Sequence, residues 1–213
     1  MRILFYPWFG SKSKHWKKYD LIYKYIFGKE TKVDFVNYSI KDGLSFNKWK
    51  DIQNGMLDEQ IADEYDCLHM VSGGCLIAYN QLHYSKKIKI NKTIFDSSPF
   101  YPCPYVASNY IYHQIPLFPK KGIMPLSKGI YKYCTQIEGF SDKEQFLYKE
   151  WLFSKNKSLC LINPKDPLLD LETIQLFIKN SESTLVNFTT PHARLLQDRE
   201  KYIEAIKKYI NKY

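Results

Sequence analysis

Three side chains that could together carry out nucleophilic catalysis follow one another along the chain in the order serine, aspartate, histidine. Ser72 ends a short apolar run and stands directly before two glycines, while Asp166 and His192 each follow a later apolar run. A serine hydroxyl is a weak nucleophile until a base takes its proton, and the base needs a carboxylate to orient it. The order and spacing therefore predict acyl transfer at Ser72, with His192 as the base and Asp166 as the orienting acid.

The run Leu68-His-Met-Val-Ser72-Gly-Gly74 is typical of a strand that turns sharply into a helix. Such a turn exposes the serine hydroxyl and leaves backbone N–H groups free at the helix N-terminus. Gly74 supplies the small residue two positions after the serine, whereas Met70 stands where the G-x-S-x-G pattern has its first glycine. Alone, the run would equally suit a helix N-cap serine. Its combination with Asp166 and His192 favours the nucleophile.

Acyl transfer also requires hydrogen-bond donors for the oxyanion that forms on the attacked carbonyl. The N–H of Gly73, one residue after the nucleophile, is one expected donor. The second is expected from the loop that follows the first strand, where we assign the N–H of Trp8, with Phe9 as the alternative.

Asp96 is the alternative to Asp166 as orienting acid, because it also follows an apolar run. The segment Asp96-Ser-Ser-Pro99 is, however, also typical of a turn that caps itself. His69, three residues before Ser72, is interpreted as a hydrogen-bonded structural group. The remaining histidines fit the base position less well; they are His15, His83 and His113.

Short apolar runs alternate with longer amphipathic segments, which is the pattern of a parallel α/β sheet with helices on both faces. Lys32 and Asp34 put charge into one run and predict an edge strand. Ser13 is the expected N-cap of the first helix and Gly28 its stop. Strands are predicted at 2–6, 32–38, 67–71, 93–95, 159–163 and 184–188. Helices are predicted at 13–27, 49–64, 73–84, 168–179 and 195–213. Ligands bind at the carboxyl ends of strands in such sheets, which is where Ser72, Asp166 and His192 fall.

One segment, residues 100–157, is rich in Pro, Tyr and Phe and has no clear strand. It lies between two predicted strands, so we interpret residues 1–99 and 158–213 as the core and the segment as an insertion. The insertion is either a cap over an apolar pocket or a second hydrophobic cluster covering a long crossover.

Composition excludes several function classes. The chain has 213 residues, of which 45% are hydrophobic, so disorder is excluded, and no stretch is long and apolar enough to span a membrane. The net charge is +9, but only three of the 31 cations are arginine, which argues against nucleic-acid binding.

Five cysteines without a C-x-x-C pair predict neither disulfides nor zinc, and no metal or cofactor is expected. Without a signal peptide, we expect a cytoplasmic protein.

Several motifs resemble the transmembrane protein 53-like family. They are Tyr6-Pro-Trp8-Phe-Gly10 with Lys18-Tyr19, His69-x-x-Ser72-Gly-Gly74, Thr93-Ile-Phe-Asp96-Ser-Ser-Pro99, and Pro191-His192 with Tyr202. The resemblance covers residues 3–99 and 158–210. It implies an α/β-hydrolase fold with Ser72, Asp166 and His192 as the triad.

The chain departs from that family at three places. Gly73 stands where the family commonly has Asn, Pro7 replaces a Gly, and the insertion lacks the apolar membrane-associated segment of some members. Because α/β hydrolases usually begin with two further strands, we expect a sheet truncated at the N-terminus, with about six parallel strands.

The function expected from these residues is that of a serine hydrolase. Its substrate would be a small ester or thioester with an apolar acyl or alcohol part. A non-catalytic binding or regulatory protein on the same fold is the alternative. A third possibility is peripheral membrane contact through Lys120-Lys121 and the apolar residues beside them.

Overall fold

The structure is a computed structural model that describes residues 1–8, 10–37, 62–75, 77–78, 82, 88–98, 157–169, 171–181 and 183–212. Most of the predicted helix at 49–64 and almost all of the predicted insertion at 100–157 lie outside the described residues, as do Lys120 and Lys121. The end of that helix prediction is wrong, because Glu64–Tyr65 is a short strand.

The central feature is a parallel sheet of six strands, ordered β2-β1-β4-β6-β7-β8. In chain order the eight strands of the described residues are β1 (Arg2–Tyr6), β2 (Lys32–Phe35), β3 (Glu64–Tyr65), β4 (Cys67–Val71), β5 (Lys89–Ile90), β6 (Thr93–Asp96), β7 (Ser158–Ile162) and β8 (Thr184–Asn187). The six predicted strands are thus confirmed, each to within three residues at its ends. The charged strand β2 lies at the sheet edge, as predicted. Strands β3 and β5 pair in a separate two-stranded sheet that we did not predict.

Helices cover both faces of the sheet, so its four central strands are buried on two sides, as is usual in parallel sheets. One face packs against α1 (Ser13–Phe27) and α3 (Arg199–Lys212) through a cluster that includes Phe5, Tyr19 and Tyr202. The other face packs against α2 (Leu171–Ser181) and the helical residues that follow β4, through a cluster that includes Met70, Ile77 and Phe177. No helix of the described residues is long and apolar enough to cross a membrane.

Helix α1 has its predicted bounds, but side-chain hydrogen bonds change its N-cap and the start of α2. The N-cap of α1 is Lys12 and not Ser13, because the Nδ1 atom of His15 accepts the Lys12 N–H at 3.0 Å. Helix α2 starts three residues later than predicted, because the Asp166 carboxylate accepts the N–H of Leu168 and keeps that residue in a turn. Gly28, with φ +97°, ends α1 as predicted.

The predicted C-terminal helix at 195–213 is two elements. Leu195–Gln197 forms a single 3₁₀ turn, and α3 begins at Arg199. Asp198 lies between them in a non-helical conformation, and its carbonyl accepts the N–H of Tyr202.

Candidate active site

Ser72 follows the last residue of β4, near the middle of the sheet. Its N–H donates to the carbonyl of Asp96 on the neighbouring strand β6 at 2.8 Å, and its φ is +51°. The left-handed conformation costs an L-residue roughly 1–2 kcal/mol. Gly73 is in the turn, and Gly74 is already helical. This is the sharp strand-to-helix turn expected from the sequence, and the small residues after Ser72 let the helix start immediately.

The structure brings Ser72, His192 and Asp166 into one hydrogen-bonded line. The Ser72 Oγ atom lies 2.6 Å from His192 Nε2, and His192 Nδ1 lies 2.5 Å from Asp166 Oδ2. The Asp166 side chain is fully buried, whereas the His192 side chain is 22% exposed. Because a carboxylate oxygen can only accept, Nδ1 carries the proton in this arrangement and Nε2 is left to accept the Ser72 hydroxyl proton.

Asp166 is fixed by the turn that leaves β7. Its Oδ1 atom accepts the Leu168 N–H at 3.0 Å, and its own N–H donates to the Asn163 carbonyl at 2.9 Å. One carboxylate oxygen therefore holds the turn while the other faces His192. This division leaves the carboxylate little freedom to rotate.

Asn163 connects the loop that carries Asp166 with the loop that carries His192. Its Nδ2 donates to the Thr190 carbonyl at 2.9 Å, and its Oδ1 accepts the Lys165 N–H at 2.9 Å. This residue was not predicted from the sequence. The available signal was a polar amide at the end of a buried strand, three residues before the candidate acid.

His192 lies in a tight turn after β8. The Arg194 N–H donates to the Pro191 carbonyl at 3.0 Å, which closes the turn around His192 and Ala193. Strands β7 and β8 are neighbours in the sheet, so their loops emerge side by side at its carboxyl edge.

The two predicted oxyanion donors lie at the ends of adjacent strands, since Tyr6 of β1 is in register with Met70 of β4. Among the described residues, neither the Trp8 N–H nor the Gly73 N–H donates to a backbone carbonyl. The indole ring of Trp8 stacks on the ring of His15 with 5.5 Å between centroids, which fixes this side of the loop. Phe9, the alternative donor, lies outside the described residues.

Asp96, the alternative acid, is not hydrogen-bonded to His192. Its Oδ2 accepts the Tyr202 hydroxyl at 2.6 Å, and its Oδ1 accepts the Ser97 hydroxyl at 3.1 Å. His69, interpreted from sequence as structural, is fully buried with the Tyr23 hydroxyl 2.7 Å from its Nδ1 and the Tyr202 hydroxyl 3.2 Å from its Nε2. Burial lowers the pKa of His69 below its ordinary value of 6.5, against the opposing effect of Asp96 nearby.

Two other kinds of site, a metal centre and a reactive thiol, have no support in the described part of the chain. No group of His, Cys, Asp and Glu side chains there could hold a metal ion. Cys67 and Cys160 are buried in the sheet, and burial raises the pKa of both thiols, which makes them poor nucleophiles. His15 caps α1. His83 and His113 lie outside the described residues.

Comparison with known proteins shows the fold but assigns no family. No protein-family model and no curated protein sequence matches the chain. Solved structures are similar along the whole chain. An esterase from Pyrococcus furiosus has a TM-score of 0.58 and 15% identity, with 100% of this chain and 81% of that chain covered. An esterase from Exiguobacterium antarcticum has a TM-score of 0.61 and 14% identity, with 99% and 92% covered. A hydrolase from Oleispira antarctica has a TM-score of 0.56 and 17% identity, with 100% and 91% covered. The chain therefore has the α/β-hydrolase fold.

Proposed function

We propose that this protein is a serine hydrolase that cleaves a small ester or thioester with an apolar acyl or alcohol part. The observation that carries the proposal is the continuous line of hydrogen bonds from Ser72 through His192 to Asp166, at 2.6 and 2.5 Å. A base within hydrogen-bond reach of a serine, itself oriented by a buried carboxylate, is the arrangement that activates a hydroxyl for attack on a carbonyl.

The reaction proceeds in two halves. The Ser72 Oγ attacks the carbonyl carbon while His192 Nε2 takes the hydroxyl proton. The oxyanion accepts hydrogen bonds from the N–H groups of Trp8 and Gly73. His192 then gives the proton to the departing alkoxide or thiolate, which leaves the acyl group on Ser72. In the second half, water loses a proton to His192 and attacks the acyl group, and Ser72 recovers its proton as the acid leaves.

The similar solved structures are esterases and a hydrolase, which supports this reaction class. Membership of the transmembrane protein 53-like family remains part of the proposal, carried by the motifs around Trp8, Ser72 and Asp96. The apolar character of the substrate rests on the aromatic residues at 100–157, proposed as a cap. The alternative, a non-catalytic binding protein, would not require the serine and histidine to be in hydrogen-bonding contact.

A fluorophosphonate probe tests the proposal, because it phosphonylates serines that an adjacent base has activated. We expect the wild-type protein to be labelled and Ser72→Ala not to be. Ser181→Ala is the matched control, since Ser181 is a buried serine that donates to the Phe177 carbonyl within α2. It should be labelled like the wild type. Absence of labelling in folded wild-type protein would reject the proposed function.

A further inference from the structure

The backbone beside His192 is held in an unfavourable conformation. Ala193 has φ +52°, which is disfavoured for a residue with a Cβ atom. His192 is not among the residues with positive φ, so the pair has the signs of a type II turn, which usually places Gly or Asn at the second position. An alanine there keeps its conformation only if the surroundings impose it.

The hydroxyl of Ser97 supplies that constraint. The Ala193 N–H donates to Ser97 Oγ at 3.2 Å, across 96 residues of sequence. Ser97 is fully buried, its own N–H donates to the Leu161 carbonyl at 2.9 Å, and its φ is +50°. It is thus attached to the sheet through its backbone and to the His192 turn through its side chain.

Asp96 determines which way the Ser97 hydroxyl points. The Ser97 hydroxyl donates to Asp96 Oδ1 at 3.1 Å, which leaves the oxygen lone pairs to accept the Ala193 N–H. Asp96 is itself fully buried, and its Oδ2 accepts the Tyr202 hydroxyl of α3 at 2.6 Å. Asp96 is in register with Val71 of β4 and Leu161 of β7. The chain of hydrogen bonds therefore starts between the strands that lead to Ser72 and to Asp166.

We propose that Ser97, oriented by Asp96, is a positioning residue that fixes the His192 turn through the Ala193 N–H. The imidazole is then held where it meets Ser72 and Asp166 at the same time. Ser97 touches none of the reacting atoms. Its kinetic effect rests on the proposed hydrolase function, whereas its effect on the geometry of His192 does not.

Two substitutions separate positioning from simple loss of a buried hydrogen bond. Ser97→Ala removes the acceptor for Ala193 but keeps the unfavourable φ. Ser97→Gly removes the same hydroxyl, and glycine adopts positive φ without strain. This variant therefore replaces Ser97→Ala in the test if the alanine variant fails to fold. Ser181→Ala again is the matched control, because it removes a buried serine hydroxyl whose partners lie outside the His192 turn.

Kinetics with p-nitrophenyl butyrate provides the first measurement. We expect kcat of both Ser97 variants to fall about tenfold to a hundredfold, since small misplacements of a catalytic group have effects of this size. KM should stay near the wild-type value, and Ser181→Ala should keep the wild-type kcat. Equal kcat in the Ser97 variants and in Ser181→Ala would overturn the inference.

Proton NMR provides a measurement that does not depend on turnover. The proton on His192 Nδ1, hydrogen-bonded to Asp166, should give a downfield resonance that His192→Gln removes. We expect this resonance to broaden or disappear in Ser97→Ala and Ser97→Gly and to persist in Ser181→Ala. If it persists unchanged in the Ser97 variants, the inference is wrong even for an active enzyme. If wild-type protein neither turns over ester nor reacts with the probe, the proposed function is wrong, and the resonance still decides the inference.

Discussion

Asp166 uses each carboxylate oxygen for a different purpose, one for the turn after β7 and one for His192. Asn cannot replace it, because the amide has one acceptor oxygen and one donor nitrogen. If the oxygen accepts from Leu168, the NH₂ group faces His192 and favours the tautomer with Nε2 protonated. That tautomer cannot take the Ser72 proton.

Asp166→Asn should therefore lower kcat by about 10⁴-fold, as loss of the correct tautomer does in comparable triads. The measurement is ester turnover by purified folded protein. Asp63→Asn, at an exposed position, is the control and should retain wild-type turnover. Turnover by Asp166→Asn within tenfold of wild type would mean that His192 is oriented by another group.

The protonation state of His69 should make stability depend on pH. Tyr202 donates its proton to Asp96, so its oxygen accepts from His69 Nε2, and His69 Nδ1 accepts from Tyr23. Both ring nitrogens are thus satisfied in the neutral form, while burial opposes the charged form and lowers the pKa.

Because the pKa of His69 is lower in the folded state, the unfolded chain binds more protons as pH falls below about 6.5, its ordinary value. The free energy of unfolding should therefore decrease as pH falls through that range. His69→Gln should be less stable than wild type at pH 8 but lose less stability between pH 8 and pH 5. Urea unfolding at the two pH values tests this, and parallel losses in both proteins would contradict it.

At the scale of elements, the sequence predicted the strands of the large sheet better than the N-cap of α1 and the start of α2, for a physical reason. The four central strands are short, mainly apolar runs bounded by polar or turn residues, and their burial on both faces makes that pattern visible. The N-cap of α1 and the start of α2 depend instead on backbone N–H groups that donate to the side chains of His15 and Asp166. Strands β3 and β5, of two residues each, are too short to have a periodic pattern.

At the candidate site, too, local sequence predicted some features and not others. Chain order and placement after strands were sufficient to select Ser72 and His192 and to restrict the acid to Asp166 or Asp96. The structure brings Asp166 to His192. Asp96 instead contacts Tyr202, which lies 106 positions away in the chain, and Ser97, its direct neighbour. No local pattern encodes which of two acids at a sheet edge will face the histidine.

Asn163 links the loop that carries Asp166 to the loop that carries His192. We therefore expect both loops to lose order when the Asn163 side chain is removed. Asn163→Ala removes the donor to the Thr190 carbonyl and the acceptor for the Lys165 N–H. The expected loss is about 1–3 kcal/mol of unfolding free energy, as for other hydrogen bonds whose partners are left unpaired, together with reduced probe labelling. Urea unfolding and labelling rates measure the two effects. Asn187→Ala, at an exposed position in β8, should change neither, and equal effects of the two substitutions would rule out the bridge.

For the whole molecule, the C-terminal helix joins strands that are distant in sequence. The Tyr209 hydroxyl of α3 accepts the Thr93 N–H at 3.0 Å and donates to the Lys157 carbonyl at 2.7 Å. It thereby fixes the starts of β6 and β7, which are adjacent in the sheet but separated by more than 60 residues of chain.

Tyr209→Phe keeps the buried ring and removes only the hydroxyl. We expect it to destabilise the protein by about 1–3 kcal/mol, because the buried Thr93 N–H loses its acceptor. Thermal or urea unfolding measures the loss. Tyr25→Phe is the control, since the Tyr25 ring is 65% exposed, and it should leave stability unchanged. A similar stability for both variants would show that other contacts fix the two strand starts.

The sheet order also has a consequence for how the protein folds. Strand β4 pairs with β1 across some 60 residues, and the contact between Ser72 and His192 spans 120 positions. Closing such long loops costs chain entropy before any contact forms, so parallel sheets of this kind fold slowly. We therefore expect Ser72 and His192 to meet only once β8 has joined the sheet. During refolding, we expect reactivity toward the probe to return after helical structure and together with the last cooperative step.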